Sequence, residues 1–305
     1  MKRTLIIGSR ASRLAVAQAR HVAELLRRIA PDIPTRLLTV TSTGDRITDR
    51  PIAAIGAVGA FTAELESALI EGQVDLAVHS MKDLPIRNQP GVISGAVPQR
   101  EDPRDALVCR RWLDVLSMPS GARIGTSSPR RVAQLRALRL DLETVDLRGN
   151  IETRIQHVQE GRVDAAILAC AGLRRLGLET AIRQEFSPDD MLPSPGQGAL
   201  DIHIRAEETG LKELLRLIAD PAAEVETRAE RALLAALGGG CSSPVGALGR
   251  LQGQVLTLAA CMPEPEGEQV WRVTGTGDPR DPESLGTRLA DTLLRSEPAG
   301  ARKSE

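Results

Sequence analysis

Two pieces of this chain occur twice, in the same order, and that repetition constrains the fold more than any other feature. Ile7-Gly8-Ser9 returns as Ile124-Gly125-Thr126, and Gly72-Gln73-Val74-Asp75 returns as Gly161-Arg162-Val163-Asp164. Units that recur with their order kept predict two related domains rather than one continuous core. The first copy carries an additional Gly- and Ala-rich connection, residues 41 to 60, which accounts for the unequal spacing of the two pairs. At 305 residues the chain is also too long for one ordinary core, so two or three domains are expected.

The local patterns fill in the repeat. Thr4-Leu-Ile-Ile-Gly8 reads as a buried strand, and Leu14, Ala17, His21, Leu25 and Ile29 mark the helix that follows a polar turn. Residues 36 to 40 make a second strand, and a helix over about 61 to 70 leads into a third, where Val74, Leu76 and Val78 alternate. Strands alternating with helices predict a mainly parallel sheet. The third strand stops at His79, Ser80, Lys82 and Asp83. In open α/β sheets ligands bind beyond the carboxyl ends of strands, which makes this row a candidate site. The rival reading is a solvated turn before Pro85, since turns collect Asp and Pro for local reasons.

The chain leaves the first domain through Pro98-Gln-Arg-Glu-Asp-Pro-Arg-Asp105, a charged, proline-bearing connection that suits a hinge. It returns at Pro193-Ser-Pro-Gly-Gln-Gly198, after which Ala199 to Ile204 can rejoin the first sheet. Two crossings predict a ligand cleft between the domains. Beyond Asp220, an N-cap for Pro221, a helix runs to Leu237 and is ended by Gly238-Gly-Gly240. Strands at 254 to 260 and 269 to 274 and a helix carrying Leu285, Leu289 and Leu293 complete a small α/β domain, and the polar tail from Ser296 is expected to be disordered.

Composition removes several function classes. Thirty-nine basic residues against 40 acidic ones leave a net charge of −1, and no Tyr, two Phe and two Trp leave few stacking platforms, so no nucleic-acid partner is expected. No apolar stretch approaches the roughly 18 residues that cross a bilayer, and the N-terminal apolar run is too short for a signal peptide. A cytoplasmic protein without a membrane partner is expected. Cys109, Cys170, Cys241 and Cys261 form no C-x-x-C, and the four His form no H-x-x-x-H, so the spacing indicates neither a disulfide framework nor a zinc site.

Polar side chains recur where strands meet helices. In Ile124-Gly-Thr-Ser-Ser-Pro-Arg-Arg131 a strand runs into a helix whose first turn has a Ser cap, a Pro and two Arg, a natural anion site. An ordinary capped helix with exposed Arg explains the same pattern. Arg148 and Arg154, in Thr144 to Arg154, repeat the device, and Arg10 and Ser12 stand in the same relation to the first strand. Together these turns favour a ligand with several carboxylates or phosphates. Cys241 lies on a glycine-rich turn beyond a helix C-terminus, where the dipole disfavours a thiolate; read alone, it is a small structural residue.

His79-Ser-Met-Lys-Asp83, Gly125-Thr-Ser127 with Arg130-Arg131, Arg148-Gly-Asn150, Gly196-Gln-Gly198 and Gly239-Gly-Cys241 resemble, in order and over nearly the whole chain, the hydroxymethylbilane synthase (porphobilinogen deaminase) family. The resemblance implies an α/β fold of three domains: two similar to type II periplasmic binding proteins with a cleft between them, plus a small C-terminal α/β domain. Applied to this chain, it sets the first domain at 1–98 and 199–219, the second at 99–198 and the third at 220–305. It implies the condensation of four porphobilinogen molecules, with loss of ammonia, into the linear tetrapyrrole hydroxymethylbilane. It further implies a dipyrromethane cofactor bound covalently through Cys241 and a monomer acting on a small-molecule substrate.

The residue roles follow from the same resemblance. Asp83 is the catalytic carboxylate, set against the positive charge of the azafulvene left when ammonia departs. Arg10, Arg130, Arg131, Arg148, Arg154 and Arg175 hold acetate and propionate groups. Ser12, Ser80, Lys82, Thr126, Ser127, Ser128 and Gln197 supply further polar contacts. The chain departs from the family in the loop Ala53-Ala-Ile-Gly-Ala-Val-Gly-Ala60, which lacks the lysines often found there, and at Pro129, where a larger apolar residue is common. A cytoplasmic ligand sensor with the same two-domain fold is the alternative, and it would bind porphobilinogen without releasing ammonia.

Overall fold

The repeated sequence builds the same clamp twice. Strand β1, Leu5–Arg10, begins where the Ile6 N–H donates to Asp75 Oδ2 at 2.7 Å while the Asp75 N–H donates to the Ile6 carbonyl at 2.8 Å. Strand β6, Arg123–Gly125, begins with the same pair of bonds between Arg123 and Asp164, at 2.8 and 2.9 Å. In each copy one aspartate meets both hydrogen-bonding groups of a residue at the start of the strand. Gly72 and Gly161, at φ 74° and 73°, take the left-handed position that ends the helix before each clamp.

These features come from a computed structural model that describes residues 3–40, 62–240, 243–264 and 269–295. The lysine-free loop 53–60, Cys241 and the tail from Ser296 lie outside the described residues. The chain divides into two compact units, Met1–Glu101 with Gly198–Glu224, and Asp102–Gln197 with Val225–Glu305.

The first unit holds a five-stranded sheet in the order β2-β1-β3-β10-β4, adding β2 (Thr35–Val40), β3 (Leu76–Ser80), β4 (Val92–Ala96) and β10 (Leu200–Arg205). Helix α1, Arg13–Ile29, is capped by Ser12, whose side chain accepts the Ala15 N–H, and ends in Arg27 and Arg28, which suit the dipole. Its buried stripe of Ala15, Ala19, Val22 and Leu26 has helical spacing, and Ala19, Val22 and Leu26 pack with Ile7, Leu76, Val78 and Ile202. Helix α2, Ala63–Ile70, covers the other face through Leu65 and Leu69 against Val74 and Ala77.

The second unit repeats this plan with the order β7-β6-β8-β5-β9, from β5 (Asp105–Cys109), β7 (Glu143–Val145), β8 (Ala165–Ala169) and β9 (Ile182–Glu185). Both sheets are mainly parallel, as expected, with one strand of each reversed. β10 is antiparallel to β3 and β4, and β5 to β8 and β9. These are the strands by which the chain re-enters or enters a unit, without the crossover helix that parallel pairing requires.

A three-stranded antiparallel sheet, β11 (Gly246–Gln252), β12 (Val255–Pro263) and β13 (Val270–Gly277), forms the C-terminal part with α7 (Pro221–Ala236) and α8 (Pro282–Arg295). Asp220 caps α7 as expected, its Oδ1 accepting the Ala223 N–H at 3.0 Å. β11 was not legible because glycines interrupt its apolar alternation. A Cβ on Gly249 would stand 2.7 Å from the Glu226 carbonyl, so close packing of α7 on the strand selects glycine there. The whole is an α/β architecture: two sheet-and-helix units, each built on a five-stranded sheet, and a small three-stranded C-terminal sheet. No described helix is long and apolar enough to cross a membrane.

Candidate functional site

In the first unit, neighbouring parallel strands β1 and β3 end at Arg10 and Ser80, beside the start of α1. A 3-10 turn, Met81–Asp83, continues β3 and brings half-buried Asp83 back to the same place. Arg10, Ser12, Gln18, His79, Ser80 and Asp83 line one recess there. Gln18, buried on α1, donates from Nε2 to Ser80 Oγ at 2.6 Å, fixing the serine rotamer. Lys82 lies on the same turn but is not among the lining residues.

Behind the recess is a buried polar network that sequence reasoning did not find. His203 on β10 has Nδ1 3.2 Å from Glu66 Oε1 and Nε2 3.3 Å from Asp201 Oδ2, and Ser94 Oγ donates to Asp201 Oδ1 at 2.5 Å. Burial pulls the His203 pKa down, but the hydrogen bonds to Asp201 and Glu66 prevail and raise it to about 9. The ring of His79 is 4.8 Å from that of His203. Burial first, and the neighbouring His203 second, lower the His79 pKa to about 3, so its imidazole is neutral.

In the second unit the organising group is Asp105, the fully buried first residue of β5. Its Oδ2 accepts Arg130 Nη1 at 2.7 Å, and its Oδ1 accepts Arg131 Nη2 at 2.7 Å and Nε at 3.1 Å. Gln197 Nε2 adds a bond to Oδ1 at 2.9 Å. Burial disfavours this carboxylate, but the two guanidinium charges outweigh it and hold the pKa well below the usual carboxylate range. The sequence reads Asp105 as the end of an exposed connection. A charge opening the apolar run Ala106-Leu-Val-Cys109 was the available signal that it is buried and paired.

Arg130 and Arg131 open helix α3, Pro129–Leu138, as expected, yet both are buried. Arg131 spends Nε, Nη1 and Nη2 inside the unit, Nη1 donating to the Ile167 carbonyl at 2.8 Å. Arg130 uses Nη1 alone, shared between Asp105 and the Leu192 carbonyl; among the described residues its Nε and Nη2 donate to nothing. Ser128 occupies the N-cap position, but its side chain makes no capping bond. Thr126 Oγ1 instead accepts the Ser128 N–H at 3.2 Å, and Ser127 Oγ donates to the Leu147 carbonyl at 2.6 Å.

Arg148 and Arg154 are half-buried. Arg148 Nε donates to Asp146 Oδ2 at 2.9 Å, and Arg154, on α4 (Ile151–Gln159), donates to the Gly149 carbonyl at 2.8 Å. Arg175 closes α5, Cys170–Arg175. Thr126, Ser127, Arg136 and Asp146 line a second recess together with Pro244, three residues past Cys241, and Glu264. Glu230 on α7, also missed, is fully buried and accepts the Gly196 N–H at 2.7 Å and the Gly249 N–H at 2.8 Å. It thus ties the returning segment to β11. Its place four residues after Glu226, among apolar neighbours on one helix, was the signal.

Residues 5–213 match the family model described as porphobilinogen deaminase, dipyromethane cofactor binding domain, and residues 225–295 match porphobilinogen deaminase, C-terminal domain. The porphobilinogen deaminase of Roseiflexus sp. (strain RS-1) is 48% identical over 294 residues, covering 96% of this chain and 97% of the relative. That of Syntrophobacter fumaroxidans is 42% identical over 301 residues, covering 99% and 96%. Among solved structures, a periplasmic substrate-binding protein of an ABC transporter from Coxiella burnetii aligns with a TM-score of 0.45 and 14% identity over 72% of this chain and 94% of that one.

Proposed function

The chain belongs to the porphobilinogen deaminase family, and from that premise we propose how its residues divide the work. It is a hydroxymethylbilane synthase, a transferase of tetrapyrrole biosynthesis that joins four porphobilinogen molecules head to tail with release of ammonia. Its cofactor is dipyrromethane. When bound, this group supplies the primer to which substrate units are added.

The observation that carries the residue assignment is the shared recess of Arg10, Ser12, Ser80 and Asp83. These residues come from separate elements, and their set of one cation, one anion and two hydroxyls suits a ligand bearing both carboxylates and pyrrole N–H groups. Asp83 accepts the pyrrole N–H and stabilises the positive charge that develops on porphobilinogen as ammonia leaves. Arg10 pairs with a substrate or cofactor carboxylate. Ser12 and Ser80 orient the same ligand, Ser80 being set by Gln18.

In the second unit, Thr126, Ser127 and Ser128, with the remaining donors of Arg130 and with Arg148, Arg154 and Arg175, hold acetates and propionates of the lengthening chain. Gln197 and Arg131 act on that work through Asp105, and Lys82 adds positive charge beside Asp83. Cys241 carries the thioether. We assign the three domains to 1–98 with 199–219, 99–198 and 220–305, and a monomer working in the cytoplasm without a nucleic-acid or membrane partner.

Protein purified from cells that make porphobilinogen is expected to exceed its sequence mass by two linked pyrrole units, with the added mass on the peptide containing Cys241. Cys241→Ser should lack the adduct and form no hydroxymethylbilane. An unmodified Cys241 in fully active enzyme, or the adduct on Cys109, Cys170 or Cys261, would overturn the assignment. Ammonia release from porphobilinogen separates the synthase from a sensor that only binds it.

A further inference from the structure

Glu66 on α2, His79 on β3 and His203 on β10 converge on one buried place, where a carboxylate oxygen and one nitrogen of each ring lie within 4.8 Å of one another. We propose that these three residues form a site for a divalent transition-metal ion of the zinc class, with Asp201 supporting it from behind. The proposal is independent of the tetrapyrrole reading.

One pair of ligand atoms already has the spacing of such a site. Bonds of roughly 2.0 to 2.2 Å in a tetrahedral zinc site place neighbouring ligand atoms about 3.3 Å apart. Glu66 Oε1 and His203 Nδ1 are 3.2 Å apart. The other nitrogen of His203 faces Asp201 Oδ2 at 3.3 Å, and that carboxylate receives Ser94 Oγ at 2.5 Å. A carboxylate on the far side of a histidine, itself held by a further hydrogen bond, is the support that metal-bound imidazoles commonly have.

The third arm is the independent observation. His79 Nε2 is buried and has no hydrogen-bond partner, whereas buried nitrogens in folded proteins nearly always have one. A metal ion would use that nitrogen, and water or the second oxygen of Glu66 would complete four-coordination. Among the described residues neither Glu66 nor Asp201 is paired with Arg or Lys; their partner is His203, whose Nδ1 proton would leave as the ion binds between that nitrogen and Glu66. The other converging group, Asp102, Cys170 and Glu185, lacks this property because Arg104 and Arg174 already bind both of its carboxylates. Ligands drawn from three elements leave no short spacing motif, which is why the sequence indicates no zinc site.

The test uses the untagged holoenzyme, stripped with a chelator and dialysed against Zn2+ or Co2+. One equivalent per chain by elemental analysis is expected, with a visible Co2+ absorption of four-coordinate intensity. His203→Ala should abolish both. Asp201→Asn keeps every ligand and should weaken binding roughly tenfold to a hundredfold, as loss of a supporting carboxylate does elsewhere. Well under one equivalent in the wild-type protein, or undiminished binding in His203→Ala, would overturn the proposal; the wild-type arm decides even where a variant fails to fold.

Discussion

Asp83→Asn is expected to lower turnover by about a hundredfold or more, because the amide keeps the size of the side chain but removes the charge set against the developing cation. The half-buried position at the end of a short turn makes the substitution sterically neutral, so the fold and the attached dipyrromethane should persist. The variant is therefore checked twice, by intact mass for the cofactor and by initial rates of hydroxymethylbilane formation. A correctly loaded Asp83→Asn enzyme with near-normal rates would remove Asp83 from the chemistry.

The largest stability effect is expected at Asp105. Asp105→Ala leaves two buried guanidinium groups without their shared counter-charge, and breaking a buried pair in this way typically costs about 3 to 5 kcal/mol. Equilibrium unfolding in denaturant measures it, and a loss below about 1 kcal/mol would mean that the arginines find other partners. The acid dependence has a definite sign. The folded pKa of Asp105 is depressed, so its contribution is fully present above the unfolded value of about 3.9 and is lost as pH falls toward the folded one. The wild-type protein should consequently lose more stability than Asp105→Ala on acidification below about pH 4.

That second result bears on what the sequence could reveal. The repeats were legible because each encodes a local device, a glycine that ends a helix and an aspartate that meets the strand beside it. The recess at Asp83 was legible for a similar reason: it forms where strands end, and strand ends can be read from alternation. Arg130 and Arg131 were legible only as to place. Their position in the first turn of a helix suggests an anion, but the anion that engages Nε and Nη2 of Arg131 and Nη1 of Arg130 is Asp105, 25 and 26 residues earlier. Nothing local in either segment announces that pairing. The His203 network is hidden for the same reason, since its members come from α2, β3, β4 and β10 and meet only after the sheet has formed.

The clamp at Asp75 also acts as a datum for counting. It fixes the start of β1 and the approach to β3, so the side chains at the far ends of both strands are set by how many residues lie between. Alternation sends Val78 and Ser80 toward α1 and His79 toward Glu66 and His203. One residue inserted between Asp75 and His79 would exchange those faces, turning the imidazole toward Gln18 and the Ser80 hydroxyl into the histidine network. The distance from Asp75 to His79 is thus a length that one added residue would spoil, whatever substitutions the segment accepts along the way.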